Sequence, residues 1–162
     1  MSGKVSVRFA VEHEVGLILK FITELAEFEH LAHEVVATEK DLRVALFGSR
    51  CFAEVVLACL DGEPVGFALY FHSFSTFLGR PGLYLEDLYV RPAARGHGVG
   101  KYVLTWLARL ALERGCGRLE WAVLDWNEAA IGFYRKLGAE VKAEWKICRV
   151  AGTALARLAA RG

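Results

Sequence analysis

No apolar run in this chain approaches the roughly 18 to 20 residues that a membrane-spanning helix requires, because Glu54, Asp61, His72 and similar residues interrupt every stretch. The start, MSGKVSVRF, has no apolar h-region of a secretory leader. A cytoplasmic location without a membrane partner is therefore the expectation. An excess of charge is missing as well. Lys and Arg number 20 against 19 Asp and Glu, for a net charge of +1, and the isoelectric point lies near 7.7. Nothing general draws such a chain to nucleic acid or to an anionic surface. The four cysteines, Cys51, Cys59, Cys116 and Cys148, form no C-x-x-C pair and no regular spacing with histidine. No metal site is expected, and small core residues in a reducing compartment are the plainer reading. Repeats, linkers and low-complexity segments are also lacking, so 162 residues read as one domain, 1–162. What the chain has in surplus is apolar content. Hydrophobic residues make up 54% and the mean hydropathy is +0.29, above an ordinary soluble domain. That surplus points to a covered interface, and so to a homodimer, in addition to a core.

Taken in order, Lys4 to Phe9 alternates as a first strand. Leu17, Phe21, Leu25 and Phe28 recur at four, four and three residues and predict an amphipathic helix, with Glu24, Glu27 and Glu29 on or near its other face. His30 to Ala37 reads as a loop. Thr38 with Asp41 caps a short helix that runs through Leu46 and ends near Gly48. Phe52 to Leu60 and Val65 to Phe74 flank Asp61-Gly62, a strong hairpin signal. Phe74 to Gly82 is a connection, Leu83 to Val90 a strand, and Gly98 to Arg114 a helix. Arg118 to Leu124 is the next strand. Asn127 caps a helix through Leu137, with Gly138 after its end. Ala139 to Ala143 and Trp145 to Val150 are expected as two last strands. Thr153 to Arg161 is an apolar tail suited to a helical turn or to covering a sheet edge.

The chemistry gathers between Leu83 and Lys101, LYLEDLYVRPAARGHGVGK, and again at Trp126 to Gly138, WNEAAIGFYRKLG. Arg95-Gly96-His97-Gly98-Val99-Gly100 links a strand to a helix and contains three residues without Cβ. Its backbone N–H groups can close on an anion at the positive end of that helix. A Walker loop is excluded, since Arg95 stands where its first glycine belongs and Tyr102, not Ser or Thr, follows Lys101. The dinucleotide fingerprint is excluded as well, because the glycines run G-x-G-x-G. The plain alternative is a strand-to-helix turn with no ligand.

The R-G-x-G-x-G loop after a strand resembles the acetyl-CoA loop of the GCN5-related N-acetyltransferases. YLEDLYV, RGHGVG, WNEAAIGFYRKLGA and the stretch from Glu24 to Leu42 are most similar to the spermidine/spermine (diamine, thialysine) group of that superfamily. The resemblance implies an α+β acyl-CoA N-acyltransferase fold, a mostly antiparallel mixed sheet with helices on both faces. It implies acetyl-CoA as co-substrate. The pyrophosphate would lie on Arg95, Gly96, His97, Gly98, Val99 and Gly100, the acetyl and pantetheine groups on backbone amides of Leu88, Tyr89 and Val90 beside a bulged, splayed strand. Further contacts would come from Asn127, Glu128, Ala129 and Ala130. Tyr134 falls on the family's catalytic tyrosine and would protonate the leaving thiolate, although Phe133, Tyr134 and Leu137 could equally form a core stripe. A homodimer is implied too.

Glu86 is the candidate base, acting directly or through water, because a carboxylate within an apolar strand is costly unless it has a role. An ion pair with Arg91 or Lys101 is the alternative. In a regular strand Asp87 faces the other way, so one of the pair should meet the cleft. Substrate amines are cations, which Glu27, Glu29 and Glu86 suit. Phe28, Glu120 and Trp121 complete the expected substrate side. Phe28 stands where the polyamine enzymes resemble one another in having Tyr, and Ala129 where Pro is usual. The expected reaction is acetyl transfer to a primary amine of a small polyamine, diamine or lysine-like molecule by direct attack in a ternary complex. A peptide N-terminus as acceptor and a non-catalytic acyl-CoA-binding module are the competing readings.

Overall fold

The computed structural model describes residues 3–162. Met1 and Ser2, part of the start read above for a leader, lie outside the described residues. The described chain divides into two compact units, one running to Ala122 and one from Val123 to Gly162. The first holds β1 (Val5–Phe9), α1 (Val15–Phe28), α2 (Glu39–Phe47), β2 (Glu54–Leu60), β3 (Glu63–Ser75), β4 (Arg80–Val90), α3 (Val99–Glu113) and β5 (Leu119–Trp121). Its sheet has the order β1-β2-β3-β4-β5, antiparallel throughout except for the parallel β4/β5 pair. No helix among the described residues is long and apolar enough to cross a membrane.

Side-chain alternation along β2 and β3 sends residues into two layers. Val55, Leu57, Cys59 and Phe67 pack with Val15, Ile18 and Phe21 of α1 and Leu42 and Leu46 of α2. Phe21 stacks on Phe67 at 5.9 Å between ring centroids. The other face carries buried Val56, Ala58, Ala68 and Tyr70, against α3 with its buried Val99, Val103 and Leu107. Trp106 of α3 meets the Tyr70 ring edge-on at 6.5 Å. A bidentate pair joins Arg114, at the end of α3, to Glu54, and these hydrogen bonds hold the Glu54 carboxyl below its usual range. Helices on both faces of a mostly antiparallel sheet are as expected.

Local signals landed where the chain sets them. Thr38 and Asp41 form a reciprocal capping box at the start of α2. Asp61 and Gly62 both have positive φ, 52° and 85°, the geometry of a two-residue primed turn, with Leu60 paired to Glu63 across it. The supposed connection from Phe74 to Gly82 is shorter than expected. β3 runs on to Ser75 and β4 begins at Arg80, with Ser75 paired to Arg80, because each strand satisfies the other's backbone as far as the tip. β5 is correspondingly short, three residues within the expected Arg118 to Leu124.

In the second unit, α4 (Glu128–Lys136) is capped by the Asn127 side chain, which accepts from the Ala130 amide at 3.3 Å. Gly138 follows with φ 96°. The two strands expected at Ala139 to Ala143 and Trp145 to Val150 are absent: the stretch has no strand assignment, and Trp145 and Ile147 are exposed. Apolar alternation gives a strand only where a neighbour accepts its backbone ladder, and among the described residues none pairs with this stretch. The tail forms two turns of helix, α5 (Gly152–Ala159).

Gly66 shows how tightly β3 and β4 approach. A Cβ built there would overlap the Tyr89 carbonyl oxygen and press on Val90 Cα. Gly66→Ala should therefore lower stability by about 1 to 3 kcal/mol through overpacking, with an unchanged m-value in urea unfolding as the check.

Candidate functional site

β4 is the element on which the site is built. Its pairing with β3 slips at one point: Leu85 faces Tyr70 and Asp87 faces Leu69, which leaves Glu86 as the extra residue of a β-bulge. The expectation that Glu86 and Asp87 alternate across a regular strand is corrected by this slip. Leu83 and Leu85 join the α3 layer. Asp87, opposite Leu69, and Tyr89, opposite Phe67, turn to the α1 layer. On the other edge of β4, pairing with β5 stops at Leu85, opposite Trp121. From Glu86 to Val90 that edge has no strand neighbour among the described residues, so the backbone of Leu88, Tyr89 and Val90 lies beside an opening.

The bulge brings acids together. Glu86 is exposed and Asp87 half-buried. Burial first, then the nearby carboxylates of Glu86 and Glu29, together push the Asp87 carboxyl up to about 6. Glu29 sits at the C-terminal end of α1, where partial burial raises its carboxyl too. The chain leaves that helix through His30, whose φ of 61° is in the left-handed region, while the Leu31 amide donates to the Ala26 carbonyl at 2.8 Å. Arg91, one proposed partner of Glu86, is held by Glu24 instead, at 3.2 Å, and lies over the Phe21 ring. Phe28 is half-exposed beneath the Arg95 guanidinium. Trp121 is level with Leu85 on β5, and Glu120 pairs with Arg118 at 2.8 Å. Glu27 is exposed on α1.

The loop after β4 fits a diphosphate. Gly96 and Gly98 have φ of 83° and 76°, and space is open where a Cβ would sit on Gly96, Gly98 or Gly100. No side chain caps the start of α3, so the amides of its first turn face outward unclaimed, with the helix dipole behind them. The His97 ring turns back onto the loop, its Nδ1 donating to the Ala94 carbonyl at 3.1 Å and near the Arg95 carbonyl at 3.2 Å. Val99 is buried and anchors the loop's end. Residue-level reading overlooked a hollow that begins at Gly98 and is lined by Lys101, Tyr102, Thr105, Trp106 and Arg109, with a volume of ≈ 210 Å³. Its signal was present in the spacing of Lys101, Thr105 and Arg109 at four residues along α3.

Asn127, Glu128, Ala129, Ala130 and Tyr134 belong to α4 and its cap in the second unit. There Tyr134 lies against Phe133 at 5.6 Å between ring centroids. The first unit thus brings together Glu29, Glu86, Asp87, Phe28 and the loop from Arg95 to Gly100, whereas the expected acid and the Asn127 segment are organised by α4.

The raised carboxyl of Asp87 carries a consequence for stability. Its folded value lies above the usual carboxylate value of 3.8, so the folded state keeps the proton longer, and stability falls as pH climbs from about 4 to 6. Asp87→Asn should raise the unfolding free energy at pH 7 by up to about 3 kcal/mol and flatten that pH window, as read by urea unfolding at stepped pH.

Comparison with known proteins agrees with this arrangement. Residues 19–139 match the model of the Acetyltransferase (GNAT) family. The chain is 41% identical to the thialysine N-epsilon-acetyltransferase of Bos taurus, over 97% of this chain and 98% of that protein. It is 34% identical to the L-ornithine N5-acetyltransferase of Arabidopsis thaliana, over 92% and 85%. Among solved structures, an integron cassette protein from the mobile metagenome of V. cholerae superposes with a TM-score of 0.79 at 29% identity, covering 98% of each chain. With most of its length matched in sequence and the expected sheet and loop in place, the chain belongs to the acetyltransferase (GNAT) family.

Proposed function

We propose that this acetyltransferase moves an acetyl group from acetyl-CoA to a terminal primary amine of a small cationic acceptor of the lysine, thialysine, ornithine or diamine type. The observation that carries the reading is the group of three carboxylates, Glu29, Glu86 and Asp87, beside the open edge of β4. Two of them are partly desolvated, and such a group is relieved by a bound ammonium. The names of the relatives support the same class of acceptor. We take residues 1–162 as one N-acetyltransferase domain acting in the cytoplasm, a reading supported by the family match across both units and by four free cysteines among the described residues.

Acetyl-CoA supplies an acyl carbon activated as a thioester. Arg95, Gly96, His97, Gly98, Val99 and Gly100 hold its diphosphate through main-chain amides, and the cationic, aromatic hollow of Lys101, Tyr102, Trp106 and Arg109 suits a purine with a phosphate. Asn127, Glu128, Ala129 and Ala130 add contacts. Open-edge amides of Leu88, Tyr89 and Val90 are donors suited to an acyl oxygen as negative charge develops on it. Glu29, Glu86 and Asp87 draw in the ammonium, with Phe28, Trp121 and Glu120 around it. Glu86, directly or through water, takes the proton that the amine must lose before attack, and Asp87, held near 6, is a second acceptor in reach of the same charge. The Tyr134 phenol gives a proton to the leaving sulfur.

Thiol release measured with acetyl-CoA and a panel of thialysine, lysine, ornithine, spermidine, diamines and short peptides should favour one small amine. Tyr134→Phe should cut kcat about a hundredfold and leave CoA affinity within twofold. Turnover confined to peptides would replace the small-amine reading, and an unchanged kcat in Tyr134→Phe would remove the phenol from the reaction.

We also propose that the enzyme is a homodimer. The support is the run from Ala139 to the C-terminus, which exposes Trp145, Ile147, Val150, Leu155 and Leu158, large apolar side chains that a partner surface would cover. Light scattering at micromolar concentration should give twice the chain mass; a monomer there rules the dimer out.

A further inference from the structure

Arg95 opens the diphosphate loop, yet its side chain is turned away from the loop's open side. Its Nε donates to the Val90 carbonyl at 3.0 Å, which ties the guanidinium to the end of β4. The guanidinium carbon stands 4.9 Å from the centre of the Phe28 ring, in the range of a cation–π contact. Phe28 is the last residue of α1, and Glu29 of the acidic group follows it directly. Four residues before Arg95 and seven before Phe28 the same arrangement recurs: Arg91 lies 4.6 Å over the Phe21 ring and pairs with Glu24. Phe21, Glu24 and Phe28 share one face of α1 at spacings of three and four. Two arginines thus clamp the segment that leaves β4 onto the helix whose end bears the amine-side acid.

We propose that Arg95 is a positioning residue that fixes the diphosphate-holding loop against the amine-side end of α1 through Phe28, and is not itself a ligand of the phosphates. The proposal rests on the acetyl-CoA and amine reading given above. Anion holding is already available from the unclaimed amides of the loop and the first turn of α3, so the side chain is free for this second task. It also explains why phenylalanine serves at position 28. The guanidinium needs an aromatic face, which Phe and Tyr both offer, and the hydroxyl contributes nothing to that contact.

The test is a double-mutant cycle in CoA affinity, measured by calorimetry without turnover, on Arg95→Gln, Phe28→Leu and the double variant, with Phe28→Tyr as the rescue. Phe28 is remote in sequence from the loop and half-exposed, and thermal unfolding checks that each variant folds. Each single change should weaken CoA about twofold to fivefold, the span of an exposed cation–π contact. The double variant should be no weaker than the poorer single variant, and Phe28→Tyr should bind as the wild type does. The amine KM should rise in both single variants with kcat less affected. Arg95→Gln weakening CoA more than tenfold, with Phe28→Leu neutral, would identify Arg95 as a phosphate ligand and overturn the proposal. Additive losses would overturn it as well. Wild-type protein that bound no CoA at all would instead remove the acetyl-CoA reading on which the proposal stands.

Discussion

A single extra residue in β4 determines how the rest of the first unit is used. Without the bulge at Glu86, Leu83, Leu85, Asp87 and Tyr89 would all line one face of the sheet. With it, Leu83 and Leu85 pack toward α3 while Tyr89 joins Phe21 and Phe67 under α1, and one strand supplies both layers of the core. The switch occurs at the level where β5 ends, so the residue that has lost its partner on one side is next to backbone that has lost its neighbour on the other. Bulges of this kind re-aim side chains at the margin of a sheet. Here it sets two adjacent acids at the level where the strand's other edge is open.

The acids come at a cost to folding that the packing around them has to offset. A carboxyl held near 6 by burial is, at neutral pH, a charge the fold would shed if it could. The stacked Phe21 and Phe67 rings, the Tyr89 ring beside Phe21 and the Arg91 pair with Glu24 hold α1 on β4 at this place. The acids therefore cannot separate to relieve one another. In the proposed role a bound ammonium would relieve them, turning rigidity in the core into affinity for a cation.

What could be read from the chain follows from the range of each interaction. The loop from Arg95 to Gly100, the Asp61-Gly62 turn, the Thr38 capping box and the Asn127 cap depend on residues within a few positions of one another, and all four have the expected geometry. The bulge depends on a register between strands, so the alternation of Glu86 and Asp87 was misjudged even though two neighbouring acids in an apolar strand were visible. The last strands failed for the same reason: Ala139 to Val150 has the composition of a strand, but pairing is decided by a neighbour that composition cannot supply. The hollow on α3 required a helix with its side chains in three dimensions, although its two cations stand in plain view eight residues apart.

Phe28 clarifies what kind of selectivity such a site has. Three carboxylates recognise charge, and charge attracts without regard to the shape of its bearer, so in the proposed role Glu29, Glu86 and Asp87 would attract lysine, ornithine and diamines alike. Discrimination among them has to come from directional or steric contacts. At position 28 a hydroxyl that could have made one is absent, and the ring is engaged by the Arg95 guanidinium.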